Sequence, residues 1–354
     1  MSAATSPNGA ADDLRPHYDF AAFPGGVRGR FFARHWGRLV STPTAGHTAG
    51  APSAQYSLAG EFIDHMHKLM VPMLSRCTLP IYCGIGDSLT RGGSGTLLEI
   101  GDTVFVVTAA HLTWPRGPDG RPVPPDPKKP DGEQRVLLFS GAPSPGAHLE
   151  VLAGEAVYVD NPSADLGVIA LSVESAAALS GYRPLTLRHI DWAGRRPTAG
   201  WYVAYGYPGE FIDLRQQERR ITVEPLLYGG PARVEDPQRL PDADPELHLL
   251  LDVPADGTTN ANGHLTVLPW AGGLSGCSLW QCFYPGLRPE LWSPNDAQVV
   301  AVQTCAYDPK GDHRPPYTIR GTSWRIVADL IREGWPHLAP ALSLEVPDPH
   351  PAAV

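Results

Sequence analysis

This chain of 354 residues has little cysteine: five in all, at Cys77, Cys83, Cys277, Cys282 and Cys305. So sparse and odd a set excludes a disulfide-stapled scaffold and predicts reduced thiols in a cytoplasmic protein. Neither Cys77 with Cys83 nor Cys277 with Cys282 has the two-residue spacing of a zinc knuckle, so no metal is expected. Lysine is scarcer, at Lys68, Lys128, Lys129 and Lys310 among 28 basic residues. With a formal net charge of -9 and no basic run, nucleic acid and anionic membrane are excluded as default partners. No apolar stretch approaches a membrane span, and the first residues lack the basic start and apolar run of a signal peptide.

Helical periodicity is nearly absent between residues 80 and 320, apart from Val173–Leu179. Short β-branched and aromatic runs recur there instead, among them Thr103–Thr108, Leu166–Leu171, Trp201–Tyr205, His248–Val253, Ser278–Cys282 and Gln298–Thr304. Gly/Pro-rich turns separate them, which predicts an all-β barrel or sandwich. Residues 1–55 read as a flexible tail. Residues 56–77 read as a helix, with Ser57 as a cap and Leu58, Phe62, Met66, Leu69, Met70 and Met73 on the face that packs on the main domain. Near the end, Thr322–Trp335 predicts a second helix stopped by Gly334 and Pro336, followed by a proline-rich tail over 335–354.

Three segments carry chemistry. Gly93–Thr113 is a glycine-led strand, a Gly-Asp turn and a buried strand ending in Thr108-Ala109-Ala110-His111. In Ser163–Leu171 a carboxylate, Asp165, stands immediately before an apolar strand. Gly272-Gly273-Leu274-Ser275-Gly276 is a glycine-rich turn around a serine.

Together, and in this order, these segments resemble those of the trypsin-like serine proteases over about residues 78–334. The resemblance implies a chymotrypsin-like double Greek-key β-barrel, one barrel over 78–190 and a second with the terminal helix over 198–334. His111 would be the general base, Asp165 the group that orients it, and Ser275 the nucleophile. The N–H groups of Gly273 and Ser275 would form the oxyanion hole. Tyr205-Gly206-Tyr207-Pro208-Gly209 resembles a turn of bacterial members. Val299–Thr304 resembles the strand beside the substrate groove, so that Thr304, Cys305 and Ala306 would bind substrate, with Thr304 near Asp165. The partner implied is a polypeptide substrate, and no cofactor is implied.

Departures from the family are informative. Leu274 stands where activatable members carry an aspartate, so activation through a freed N-terminus is not expected. Leu112 replaces the cysteine that commonly follows the histidine in secreted members. Pro269, followed by Trp270, occupies the base of the specificity pocket, which predicts a small or apolar residue before the cut bond. A protease of this kind in a reducing compartment calls for a trigger or regulatory partner, and no residue identifies one.

Two other readings compete. Gly86-Asp87-Ser88-Leu89 resembles the serine block of the SGNH esterases, but that block should lead into a helix, and no Asp-x-x-His follows near the end. A trypsin-like module that binds peptides without cutting them is the second. Gly92-Gly93-Ser94-Gly95 reads as a tight turn rather than a nucleotide loop, and His65 with His67 shows no shared face for a metal.

Overall fold

A computed structural model of the chain describes residues 53–85, 88–113, 135–140, 147–151, 154–158, 164–192, 201–208, 212–215, 220–223, 225–231, 243–244, 246–253, 258–259, 265–266, 271, 273–283, 291–307 and 317–345. The helices are α1 (Ser53–Cys77), α2 (Ala110–Thr113), α3 (Val173–Ala178), α4 (Trp324–Gly334) and α5 (Ala339–Glu345). The strands of the first half are β1 (Thr78–Ile85), β2 (Ser88–Ile100), β3 (Thr103–Ala109), β4 (Arg135–Ser140), β5 (Ala147–Val151), β6 (Gly154–Tyr158) and β7 (Leu166–Leu171). Then follow β8 (Trp201–Gly206), β9 (Ile212–Arg215), β10 (Arg220–Val223), β11 (Leu226–Pro231), β12 (His248–Val253), β13 (Thr258–Thr259), β14 (Leu265–Thr266), β15 (Ser278–Phe283), β16 (Gln298–Tyr307) and β17 (Tyr317–Ser323).

The fold is all-β, as the sequence led us to expect. One antiparallel sheet runs β6-β7-β3-β2-β1-β4-β5-β10-β9 and a second runs β11-β8-β15-β16-β17-β12. In the second sheet β12 leaves its predecessor β11 for the far edge, and β15 returns beside β8. That is a Greek-key path, and the sheet curls until its edges meet. The Tyr228 hydroxyl on β11 donates to the Asp252 carbonyl on β12. Tyr202, Tyr228, Leu251, Leu279, Ala301 and Ile319, one from each of the six strands, share one core. The first sheet encloses a smaller core of Leu79, Ile81, Leu97, Val106 and Ile169.

The largest core lies between the sheets. It takes Phe105 and Val107 from β3, Leu166 and Val168 from β7, Trp201 and Val203 from β8, and Trp324 and Val327 from α4. A strand buried on both faces has no need of alternation, which explains the unbroken Val-Phe-Val-Val run of β3. Helix α1 adds Ile63, Met66, Met70, Leu74 and Cys77 to this core. Each such side chain contributes on the order of 2 kcal/mol by leaving water.

Several local expectations need correction. Helix α1 begins at Ser53, before the expected cap Ser57. Its buried stripe is turned from the expected one, so that Leu69 is 40% exposed while Ile63 and Leu74 are buried. Gly92–Gly95 is not a turn but the middle of β2, with Gly93 opposite Ile81 and Gly95 opposite Leu79. Its glycines answer to packing: a methyl group on Gly93 would lie 2.2 Å from Leu112 Cδ1. Hairpin β9–β10 falls in the range assigned to the second barrel, yet β10 pairs with β5 of the first sheet. Residues 336–345, expected in a tail, form a 3-10 turn and α5, with Leu338 and Leu342 in the inter-sheet core. The expected tail over 1–55 lies outside the described residues up to 52.

His67, on the buried side of α1, meets the Trp201 indole, whose N–H donates to its Nε2 at 3.4 Å, and its Nδ1 has no partner. Burial lowers its pKa from 6.5 to about 4. In the fold it therefore stays neutral while the unfolded chain takes up a proton below about 6.5. Stability is intact above that pH, falls as the pH drops towards 4, and levels off below. The full loss is roughly 3 kcal/mol. Urea unfolding at pH 7 and pH 4.5 should show the wild type losing roughly 2–3 kcal/mol more than His67→Gln. Equal losses would contradict the assignment.

Candidate active site

Strands β3 and β7 pair in antiparallel register, Thr108 opposite Gly167 and Ala109 opposite Leu166, and both reach the same rim. There the chain turns into α2, and the Ala110 N–H donates to the Asp165 carbonyl at 2.9 Å. Asp165 has φ 48, the only non-glycine residue with positive φ among those described. Aspartate tolerates this left-handed conformation better than most residues. The turn aims its carboxylate back across the pair. Oδ1 accepts the His111 backbone N–H at 3.0 Å, and Oδ2 lies 2.6 Å from His111 Nδ1. The carboxylate is nearly sealed, its side chain 2% exposed, whereas the imidazole is 22% exposed. A carboxylate so buried must be paired and hydrogen-bonded. Held at Nδ1, the ring keeps its proton there and offers Nε2 as a base.

Ser275 stands in the turn before β15, in the second sheet. Gly273 and Gly276 have φ 99 and 88, which permits the tight reversal around it. The Leu274 N–H donates to Ala271 at 3.0 Å, Cys277 to Leu274 at 2.9 Å, and Gly276 to Gln303 of β16 at 2.8 Å. The amides of Gly273 and Ser275 take no part in these bonds. The Ser275 side chain is buried in this turn, with the residue 8% exposed.

Ser94 fastens this turn to the first sheet. Its N–H donates to the Ser275 carbonyl at 2.7 Å and its hydroxyl donates to the Gly273 carbonyl at 3.1 Å. The same hydroxyl accepts the Tyr207 N–H at 3.0 Å, and the Ser94 carbonyl accepts from the Thr108 hydroxyl at 2.7 Å. Thr96 and Ser278 hydroxyls meet 2.7 Å apart one register step on. The closeness explains two glycines. A methyl on Gly276 would lie 1.9 Å from the Ser94 carbonyl oxygen, and one on Gly206 would lie 2.7 Å from the Ser94 hydroxyl. Ser94 was concealed in the sequence by its glycine neighbours. The signal was the triplet Gly93-Ser94-Gly95, which packs a strand rather than turning it.

The structure thus joins His111 to Asp165 directly and links Ser275 to the same rim through Ser94 and Thr108. No hydrogen bond joins the Ser275 hydroxyl to the His111 ring among the described residues. Such contacts are often long in unliganded sites. Thr304 is linked to the residue before Asp165: its hydroxyl is 3.0 Å from that of Thr322, which donates to the Ala164 carbonyl at 2.7 Å. Cys305 and Ala306 continue along β16, partly exposed. Pro269 and Trp270 lie outside the described residues. Ser88 opens strand β2, opposite Ile85, where the esterase reading requires a helix to follow. Burial raises the Cys277 thiol to about 12, so this neighbour of Ser275 is no rival nucleophile.

Two glycine substitutions separate backbone strain from lost space. Gly101, φ 64, has nothing within 4 Å of an added methyl, so Gly101→Ala should cost about 1–2 kcal/mol. Gly276→Ala adds a collision with the Ser94 carbonyl to the same strain, and should cost about 3 kcal/mol or more. Chemical denaturation measures both, and equal costs would contradict the close approach at Ser94.

No family model matches this chain, and no curated protein matches it. Among solved structures it is similar to the protease Anisep from Arthrobacter nicotinovorans, with 14% identity, 74% of this chain and 96% of that one covered, and a TM-score of 0.41. It is also similar to a thermostable serine protease from an extremophilic microorganism (15% identity, 70% and 91% covered, TM-score 0.38). A third is the HtrA-type protease AlgW with a tripeptide (10% identity, 77% and 64% covered, TM-score 0.42).

Proposed function

We propose that this protein is a serine endopeptidase that cuts peptide bonds through an acyl-enzyme. The observation that carries this reading is the imidazole held by a buried carboxylate, Nδ1 of His111 at 2.6 Å from Asp165 Oδ2. A structural histidine needs no such partner. In the proposed reaction His111 Nε2 takes the hydroxyl proton of Ser275 as its oxygen attacks the substrate carbonyl. The oxyanion that forms accepts from the amides of Gly273 and Ser275. Each donor so placed lowers the barrier by roughly 3–4 kcal/mol. Asp165 stabilises the imidazolium, which then protonates the leaving amine. Water, deprotonated by the same ring, releases the acyl group and restores Ser275. Thr304, Cys305 and Ala306 would pair with the substrate backbone, and Pro269 with Trp270 would favour a small or apolar residue before the cut bond. The first barrel, over 78–190, would take in the β9–β10 hairpin as well, and the rest of 198–334 would form the second, the two meeting at this site.

A second reading is a peptide-binding module without turnover, and it draws on the absent Ser275–His111 hydrogen bond. A fluorophosphonate probe separates the two. The endopeptidase should be labelled, labelling should vanish in Ser275→Ala, and it should persist in Ser88→Ala. A folded wild type that takes no label would favour the module, and label lost in Ser88→Ala would favour an esterase. In Asp165→Asn the left-handed backbone is still tolerated, but the amide fixes the wrong ring tautomer. Steady-state kinetics should show kcat lower by about 10⁴-fold, with the melting temperature little changed. A loss below tenfold would remove Asp165 from the mechanism.

A further inference from the structure

Arg320 lies on β17, a strand buried along its whole length, and is itself only 5% exposed. Side chains alternate along a strand. Ile319 points into the closed core of the second barrel, so Arg320 and Thr322 point to its outer side. That side faces the site: the Thr322 hydroxyl reaches the Ala164 carbonyl, next to Asp165. Arg320 stands directly opposite Cys305 on β16. Its guanidinium therefore lies beside Tyr307 and beneath Cys305, which with Thr304 and Ala306 would take the substrate backbone in the endopeptidase reading.

A guanidinium is charged at any physiological pH and carries five N–H donors. Here Nη1 donates to the Tyr307 hydroxyl at 3.2 Å, and the Arg320 Cζ is 5.7 Å from the centre of the Tyr307 ring. Nε is buried without a partner. No carboxylate pairs with Arg320 among the described residues. Asp252, on the same side of the neighbouring strand β12, accepts from the Thr318 hydroxyl at 2.8 Å. Buried charges are ordinarily paired, because an uncompensated one forfeits its hydration. The missing partner is an anion.

We propose that Arg320 binds an acidic side chain of the substrate, at one of the positions two to four residues before the cut bond. This rests on the endopeptidase reading and adds to it. The small or apolar preference belongs to the residue next to the cut bond, while Arg320 reads a carboxylate further along the bound strand. A planar guanidinium with free donors suits a carboxylate better than any neutral group.

The test is a set of paired peptides that differ only by Glu or Gln at each of those three positions. For the wild type, kcat/KM should favour Glu by at least about tenfold at one position. The preference should disappear in Arg320→Met and survive in part in Arg320→Lys. A ratio near one at all three positions of the wild type overturns the proposal, as does a preference that persists in Arg320→Met. Should no peptide be cut, the same labelled pairs are measured by fluorescence anisotropy. Glu-selective binding lost in Arg320→Met would retain the anion site while removing the peptidase reading. Binding without Glu selectivity would remove the anion site.

Discussion

A site assembled from two sheets requires the sheets to be locked in register, and Ser94 is the lock. Its N–H and hydroxyl reach across the boundary, to the carbonyls of Ser275 and Gly273 and to the amide of Tyr207, while its carbonyl is held within the first sheet by the hydroxyl of Thr108. Among the described residues the Ser275 turn has no helix or disulfide of its own to hold it. Its shape comes from these bonds, from the space that Gly276 leaves for the Ser94 carbonyl by having no side chain, and from the Gly276 N–H donated to the Gln303 carbonyl on β16. Loss of Ser94 would free the turn and leave the Tyr207 amide buried without a partner.

The rest of the site follows the same logic of strand ends. His111 and Asp165 are adjacent because β3 and β7 are neighbours in register and stop together. The left-handed turn at Asp165 converts that adjacency into a two-point grip on histidine, one oxygen on the backbone and one on the ring. On the other sheet, Thr304 and Thr322 carry a hydroxyl chain to the carbonyl of Ala164. The second sheet is thereby fastened to the residue that precedes Asp165. The outcome is a direct pairing at His111 and a clamped turn at Ser275.

Much of this was legible in the sequence because it is local. Thr-Ala-Ala-His and Ser-Ala-Asp-Leu mark strand ends by the switch from apolar runs to small or charged residues, and the strands Leu166–Leu171 and His248–Val253 have the limits their composition suggested. What escaped depends on distant partners. Strand β17 carries Arg320 and Gly321 in its middle, and its polar look concealed a strand whose two faces are both covered. Strand β11 ends in Gly-Gly-Pro and reads as a turn until β8 supplies its partner. The buried stripe of α1 was misjudged because exposed Leu69 and buried Leu74 are equally apolar, and only the surface that α1 meets chooses between them. Arg320 carries no signal by itself, for its meaning lies in its register with Cys305 and in having no carboxylate partner among the described residues.

The central claim is that the Ser275 oxygen, the His111 ring and the amides of Gly273 and Ser275 surround a single reacting carbon. A crystal structure of the protein with a peptide boronate addresses it directly. The account predicts boron bonded to Ser275 Oγ, one boronate oxygen about 2.7–3.1 Å from both amides, and His111 Nε2 in hydrogen-bond contact with the adduct. Boron on another residue, or on Ser275 with both amides turned away, would contradict it.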